Sequence, residues 1–300
     1  MNAPFARLIL VGLSVAALIG CQSPGASAQT RSETFDSKGT KIRYLIAGTG
    51  EPLVLLHGWQ GEASTWGPGT RENPKLNPPP GMQVIAIDLR GHGLSDKPHD
   101  PASYGPEMAA DVVRLLDHLK IEKAHIVGYS MGSYVAGKVV DLAPERVKSV
   151  VYGGSAPVLD IREVKGFSEA DAFADAAEKG KMGEYLRERT PAGMPKPSEV
   201  DAEKVAERMY AHQDVKALGA AGRSFGQLEV KADRLAQLTI PTLFLYGSEE
   251  GPYILARIAE ARSVMKHAEF KTIEGKDHMT TLIDPSFGRS IVEFVGRHSK

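Results

Sequence analysis

The feature that most constrains this chain is a short apolar run that ends in Gly-Tyr-Ser-Met-Gly at residues 128–132. Small residues with helical character follow, so a strand, a sharp turn and a helix adjoin one another with Ser130 at the apex, in the pattern called a nucleophile elbow. Glycine is needed at both ends because so tight a turn leaves no room for side chains two residues from the serine. An unaided serine hydroxyl is a weak nucleophile, so we expect a base, an acid and hydrogen-bond donors elsewhere in the chain.

Apolar runs that alternate with helical segments predict the architecture around this turn. Continuous apolar runs are typical of strands buried on both faces of a parallel sheet. The pattern therefore predicts an α/β fold with a mainly parallel central sheet and helices on both faces. Besides the run before the turn, the predicted strands lie in an N-terminal hairpin at residues 34–46 and at 52–56, 83–87, 147–154, 240–247 and 269–273. The predicted helices lie at 107–120, 131–143 and 252–262, with a last helix that begins at Asp284 and Pro285.

Residues 155–237 break this alternation. The segment is rich in alanine and charged residues, lacks a strand-like run, and has a helical pattern at 170–188 and 200–212. It is longer than one crossover connection needs. We therefore predict an inserted helical cap at 155–237 on a core formed by residues 33–154 and 238–300. The alternative is a set of ordinary crossover helices.

The N-terminal residues 1–20 have the composition of an export signal. A positive charge at Arg7 precedes the apolar run at 8–20, which at about 1.5 Å per residue is too short to span a bilayer. The run ends in Leu-Ile-Gly-Cys, which resembles a bacterial lipobox and predicts lipidation of Cys21, the only cysteine in the chain. Cleavage at the Ala-Ser-Ala site of residues 26–28 is one alternative, and an uncleaved anchor is another.

The lipobox predicts a destination for the mature protein. With Cys21 lipidated, we expect a protein anchored to the outer membrane on the periplasmic side, because Gln22 rather than aspartate follows the cysteine, as in bacterial lipoproteins with that destination. Residues 21–32 would then form a flexible tether. Cleavage at the alternative site predicts a soluble periplasmic or secreted protein. In either case a single cysteine precludes an internal disulfide.

The amino-acid composition says more about possible binding partners than about the fold. A hydrophobic content of 42% and a charged content of 24% are ordinary for a globular chain, and a net charge of −1 gives no electrostatic reason to expect nucleic acid. The sequence has neither a cysteine cluster nor a histidine pair at metal-ligand spacing. We expect a monomer that binds a small-molecule acyl substrate, needs no cofactor or metal, and meets a membrane only through its N-terminal lipid.

Four motifs occur in an order and spacing that resemble the α/β-hydrolase superfamily. They are His-Gly-Trp at residues 57–59, Asp-Leu-Arg-Gly-His-Gly-Leu-Ser-Asp at 88–96, the turn around Ser130, and Gly-Lys-Asp-His at 275–278. Each one follows a predicted strand, and the resemblance covers residues 33–298. It implies an α/β-hydrolase fold that carries a Ser-His-acid triad.

The base and the acid are expected in the C-terminal part of the chain. His278 is the only histidine between the last strand and the last helix, so it is the candidate base for Ser130. In the resembling family a carboxylate follows the strand before the last as Gly-x-x-Asp, and here that strand ends in Gly-Ser-Glu-Glu. Glu250 takes the place of the acid, with Glu249 and then Asp160 as alternatives. A carboxylate there would hold the imidazole tautomer and stabilise the imidazolium.

Two backbone N–H groups are expected to form an oxyanion hole. Met131 supplies one from the N-terminus of the elbow helix, and the resemblance assigns the other to Trp59. The Trp59 side chain either walls the pocket or packs as an ordinary buried aromatic. By resemblance, His57 and His92 shape turns, and His125 is expected at the surface or at a strand edge.

Together these residues predict a serine hydrolase that cleaves a carboxylic ester through an acyl-enzyme. Alternatives that keep the triad are a C–C bond hydrolase, a cofactor-free haloperoxidase and an aminopeptidase. An alternative of another class is a lipid-anchored binding protein that performs no catalysis. Haloalkane dehalogenases and epoxide hydrolases of this fold carry aspartate at the elbow, so the serine at position 130 excludes them.

Overall fold

The computed structural model describes residues 29–73, 75–159, 167–191 and 193–299. The predicted signal at 1–20, Cys21 and the alternative cleavage site at 26–28 lie outside the described residues, as does Asp160. Among the helices of the described ranges, none combines the length and the apolar character that crossing a membrane requires.

An eight-stranded sheet forms the centre of the protein. Its strands are β1 (Arg31–Ser37), β2 (Thr40–Gly48), β3 (Glu51–Leu56), β4 (Met82–Ile87), β5 (Ala124–Tyr129), β6 (Val147–Gly153), β7 (Thr242–Gly247) and β8 (Glu269–Ile273). They lie in the order β1-β2-β4-β3-β5-β6-β7-β8. The strand β2 is antiparallel to both β1 and β4, and the other neighbours are parallel. The predicted α/β-hydrolase fold with a mainly parallel sheet is confirmed.

Helices cover both faces of this sheet. They are α1 (Pro106–His118), α2 (Met131–Leu142), α3 (Ser168–Lys179), α4 (Met182–Glu188), α5 (Glu199–Met209), α6 (Val215–Arg223), α7 (Ala232–Gln237), α8 (Pro252–Val264), α9 (His278–Ile283) and α10 (Pro285–Arg297). Successive strand residues point to opposite faces, so Ile126 joins a core cluster with Val135 of α2, while Val127 joins one with Ile291 of α10. Burial on both faces is why the strands β3 to β7 have nearly continuous apolar sequences.

Between β6 and β7 the described residues form the helices α3 to α7 and no named strand, so the inserted segment is helical as predicted. Its own core cluster includes Phe173, Tyr185 and Leu218. The helical pattern at 170–188 corresponds to two helices, because Gly180 adopts a left-handed conformation with φ of 65° and ends α3 before α4 begins. Glycine accepts that conformation without a Cβ clash, which makes it a common helix stop.

The end of the chain differs from the sequence expectation in one respect. His278 was expected in a loop, whereas it is the first residue of the short helix α9. The Asp277 side chain caps α9 by accepting hydrogen bonds from the backbone N–H groups of Met279 and Thr280. Asp284 caps α10, and Pro285 is its first residue, as predicted. His278 is therefore held at the start of a capped helix, which limits its backbone freedom.

Candidate active site

Ser130 lies at a strained turn between β5 and α2. Its φ of 54° and ψ of −116° place a residue with a side chain in a region that is costly for L-amino acids. Two kinds of hydrogen bond hold the turn: the Ser130 N–H donates to the Gly153 carbonyl at 2.8 Å, and the Ser133 hydroxyl donates to the Gly128 carbonyl at 3.0 Å. These hydrogen bonds to backbone carbonyls stabilise the strained conformation, so the Ser130 hydroxyl stays at the apex of the turn.

The glycines on either side of Ser130 are required by contact with backbone. A Cβ added to Gly128 would lie 2.1 Å from the carbonyl oxygen of Gly132. A Cβ added to Gly132 would lie 2.1 Å from the carbonyl oxygen of Leu56, at the end of β3. Neither oxygen can move without distorting the sheet or the helix. The Gly-x-Ser-x-Gly pattern therefore reflects positions where a side chain would clash with backbone oxygens.

The imidazole of His278 bridges the serine and a glutamate. Its Nε2 lies 3.0 Å from the Ser130 Oγ, and its Nδ1 lies 2.9 Å from Oε2 of Glu250. If the Nδ1 carries the proton donated to Glu250, the Nε2 is free to accept the serine proton. The structure thus brings together the predicted nucleophile, base and acid, from the ends of β5 and β7 and the start of α9.

The structure distinguishes between the two adjacent glutamates. The Glu250 side chain is 0% exposed and bonds the histidine, whereas Glu249 is exposed. The backbone N–H of Glu249 donates to the Lys276 carbonyl at 2.9 Å, which fixes the register of the loop and directs the second glutamate inward. Of the two, Glu250 alone meets the imidazole.

Tyr129, the residue before the serine, contacts the backbone and the ring of His278. The hydroxyl of Tyr129 donates a hydrogen bond to the backbone carbonyl of His278, and the two ring centroids are 5.3 Å apart. Burial, reinforced by the Glu250 carboxylate, raises the pKa of Tyr129, so its hydroxyl stays protonated and remains a donor. Sequence analysis missed this residue, because position 129 is an unconstrained position of the motif and its partner is 149 residues away.

The predicted oxyanion donors lie beside the serine. Met131 is the first residue of α2, and N–H groups in the first turn have no acceptor within their own helix. On the other side, a Cβ added to Gly58 would lie only 3.3 Å from the Ser130 Cβ, so the loop that carries Trp59 passes directly beside the nucleophile. Both predicted donors therefore flank Ser130.

The Trp59 side chain turns toward the cap. Its indole N–H donates to the Leu218 carbonyl of α6 at 3.0 Å. Its ring centroid lies 4.8 Å from that of Phe173 in α3 and 5.7 Å from that of Phe225, which follows α6. Trp59 thus connects the loop beside Ser130 to the helices α3 and α6, so the position of these helices and the geometry of that loop are linked.

Other histidines near the site are structural. The Nε2 of His57 accepts a hydrogen bond from the Leu89 N–H at 3.1 Å, so the Nδ1 carries the proton and donates to the Gly58 carbonyl at 2.8 Å. Burial lowers the pKa of His57, and burial with the neighbouring His57 lowers the pKa of His92 to about 3. His125 was expected at the surface or at a strand edge. It is the second residue of β5 and is fully buried, so a surface position is wrong.

Comparison with known proteins agrees with this architecture. A family model for the α/β hydrolase fold matches residues 51–285. Among curated proteins, the chain is 39% identical over 137 residues to the dihydrolipoyllysine-residue acetyltransferase component of the acetoin cleaving system of Pseudomonas putida, covering 44% of this chain and 35% of the relative. It is 32% identical over 145 residues to Esterase YbfF of Escherichia coli, covering 46% and 54%. The chain thus spans about a third and about a half of the length of these two relatives.

The likeness to solved structures extends over nearly the whole fold. A carboxylesterase structure from the thaumarchaeon Nitrososphaera gargenis superposes with a TM-score of 0.69 at 18% identity, covering 90% of this chain and 98% of that one. At that identity the similarity concerns the fold. Because the family model matches most of the chain, this protein belongs to the α/β-hydrolase fold family.

Proposed function

We propose that the protein is a serine hydrolase that cleaves carboxylic esters, with Ser130 as nucleophile, His278 as base and Glu250 as acid. The observation that carries this proposal is the bridging imidazole, which lies 3.0 Å from the serine oxygen and 2.9 Å from the buried carboxylate. A histidine bonded at both nitrogens can take the serine proton while its ring stays in one tautomer. The family membership supports the same reaction class.

The first half-reaction forms an acyl-enzyme. The Ser130 Oγ attacks the ester carbonyl carbon while its proton passes to the Nε2 of His278. Glu250 stabilises the resulting imidazolium, and the N–H groups of Trp59 and Met131 donate to the oxyanion. The carbon–oxygen bond to the alcohol then breaks, and the imidazolium gives its proton to the departing oxygen. The alcohol leaves, and the acyl group stays on the serine.

The second half-reaction is hydrolysis of that ester. Water gives a proton to His278 as its oxygen attacks the acyl carbon, and the Ser130 Oγ leaves with the returned proton. The products are an alcohol and a carboxylic acid, and the chemistry requires no cofactor. Since the helices α3 to α7 cover the edge of the sheet where ligands bind in open α/β folds, we propose that they shape the acyl pocket.

A series of 4-nitrophenyl esters, from acetate to octanoate, tests the proposal. We expect Ser130→Ala to lower kcat by about 10³-fold or more, because removing the nucleophile disables the whole triad. Ser133→Ala is the matched control, since its hydroxyl bonds the backbone carbonyls of Gly128 and Gly153 and not the histidine. We expect it to stay within about tenfold of wild type.

Two outcomes would count against this reaction. One is a wild-type protein no faster than Ser130→Ala on every ester in the series. The other is an equal loss in Ser130→Ala and Ser133→Ala, which would trace the effect to the stability of the turn and not to the nucleophile.

A further inference from the structure

Arg257 in α8 is a buried arginine without an anionic partner among the described residues. The buried arginines of those ranges are Arg43, Arg90 and Arg257, the last of them 8% exposed. Arg43 pairs with Asp88 at 3.2 Å, and Arg90 pairs with Asp111 at 2.7 Å. No carboxylate of the described residues lies within 4.0 Å of the Arg257 guanidinium. Since buried arginines are normally paired, Arg257 is the exception to be explained.

Aromatic rings surround this guanidinium. Its central carbon lies 5.2 Å from the ring centroid of Tyr134, 5.0 Å from that of Phe167 and 4.8 Å from that of Tyr253. The Nε donates a hydrogen bond to the Tyr253 hydroxyl, while neither Nη group donates one to a described residue. The rings attract the cation through their faces, but among the described residues no carboxylate pairs with its charge and no acceptor bonds its Nη groups.

The Arg257 guanidinium lies close to the proposed active site. Tyr134 follows Ser130 by four residues on α2, which is about one helical turn. Phe225 connects Tyr134 to Trp59 of the oxyanion loop, with centroid distances of 5.8 Å and 5.7 Å. A continuous aromatic wall therefore runs from the oxyanion loop to the guanidinium, at a separation from Ser130 on the order of 10 Å.

We propose that Arg257 binds a carboxylate on the substrate, so that the preferred substrates are monoesters of dicarboxylic acids. This inference rests on the proposed ester hydrolysis. The guanidinium would form paired hydrogen bonds with the carboxylate through its two Nη groups. The aromatic wall would contact the hydrocarbon chain between that carboxylate and the ester carbonyl at Ser130. A neutral acyl chain of the same length could not form these charge-assisted hydrogen bonds, which makes the site selective.

Matched substrates test this charge preference. Monoethyl esters of glutaric, adipic and suberic acid cover a range of chain lengths, and each is compared with its ω-amide, which has the same shape and no charge. We expect wild type to show a kcat/KM about tenfold or more higher for the charged member of at least one pair. In Arg257→Met this ratio should fall to about one, mainly through KM, and Arg257→Lys should recover part of it.

Arg262 provides a control on the same helix. Its guanidinium lies 4.0 Å from the ring centroid of Phe270, and it bonds the hydroxyl of Tyr246 at 3.1 Å, but the residue is exposed. Arg262→Met therefore removes the same charge and the same kinds of contact away from the aromatic wall. We expect it to leave the ratio of charged to neutral substrate unchanged.

Binding to an inactive protein separates this inference from the proposed reaction. Calorimetric titration of Ser130→Ala with monoethyl suberate should show binding that is weakened about tenfold or more by adding Arg257→Met. Equal kcat/KM for the charged and neutral members of every pair in wild type would overturn the inference, as would a preference unchanged in Arg257→Met. If the neutral esters are still cleaved when either of these results is found, the proposed ester hydrolysis stands. If the charged ester binds but no ester is cleaved, the proposed hydrolysis is wrong and the carboxylate site stands.

Discussion

Replacing Glu250 by glutamine isolates the charge that stabilises the histidine. The side chain keeps its size and a polar group beside the Nδ1 of His278, but it loses the negative charge and no longer enforces one imidazole tautomer, because an amide donates as well as accepts. Unit charges about 4 Å apart at an effective dielectric of about 20 interact by about 4 kcal/mol. The His278 side chain is 31% exposed, so solvent screening reduces this to roughly 2–3 kcal/mol. At about 1.36 kcal/mol per decade, the lost charge alone should lower kcat roughly 30- to 150-fold, and the loss of the fixed tautomer should lower it further.

The adjacent Glu249 gives this experiment its control. Glu249→Gln makes the same chemical change one residue away, on a side chain that is exposed. With 4-nitrophenyl butyrate as substrate, we expect Glu249→Gln to keep kcat within about twofold of wild type. Thermal melts of both variants check that a lower rate is not caused by a smaller folded fraction.

Either of two results would contradict the role of Glu250 as the acid. If Glu250→Gln retains kcat within about threefold while remaining folded, the buried carboxylate does not act through the imidazolium. If Glu249→Gln is the slower variant, the loop in solution presents the other glutamate to His278.

Further predictions concern the turn, the histidine support and the N-terminus. Gly132→Ala should lower the free energy of unfolding in urea by about 1–3 kcal/mol or more. Gly296→Ala should not, because a Cβ at that position would have no atom within 4 Å. Equal urea midpoints for the two variants would contradict the steric explanation. Tyr129→Phe removes the hydrogen bond to the His278 carbonyl and should lower kcat by about tenfold with little change in KM. An unchanged kcat would show that the Tyr129 hydroxyl does not position His278. Mass spectrometry of the exported protein should find a diacylglyceryl Cys21 at the N-terminus, and a start after the Ala-Ser-Ala site would refute the proposed lipid anchor.

Much of the fold could be predicted from local pattern. The strands β3 to β7 are buried on both faces, so their apolar runs were visible without knowledge of their neighbours. The turn around Ser130 was predictable because its steric demands fall on residues two positions away. His278 was predictable because few positions after the last strand can reach the nucleophile of this fold.

The rest depends on contacts between distant residues. The resemblance favoured Glu250 over Glu249, but the hydrogen bond from the Glu249 N–H to the Lys276 carbonyl, which fixes this loop, joins two segments that no local pattern connects. The support from Tyr129 and the aromatic surroundings of Arg257 likewise join residues from separate elements. The short helix α9 is different, since its capping box of Asp277 and the threonine three residues later could have been read from the sequence.

The most direct test of the central claim is peptide mapping by mass spectrometry after reaction with a fluorophosphonate. This reagent forms a stable adduct with a serine that a neighbouring base activates. We predict a single adduct on the peptide that contains Ser130, absent in Ser130→Ala and formed at least about a hundredfold more slowly in His278→Ala. An unlabelled wild-type protein, or an adduct on another serine that persists in Ser130→Ala, would contradict the assignment of Ser130 as an activated nucleophile.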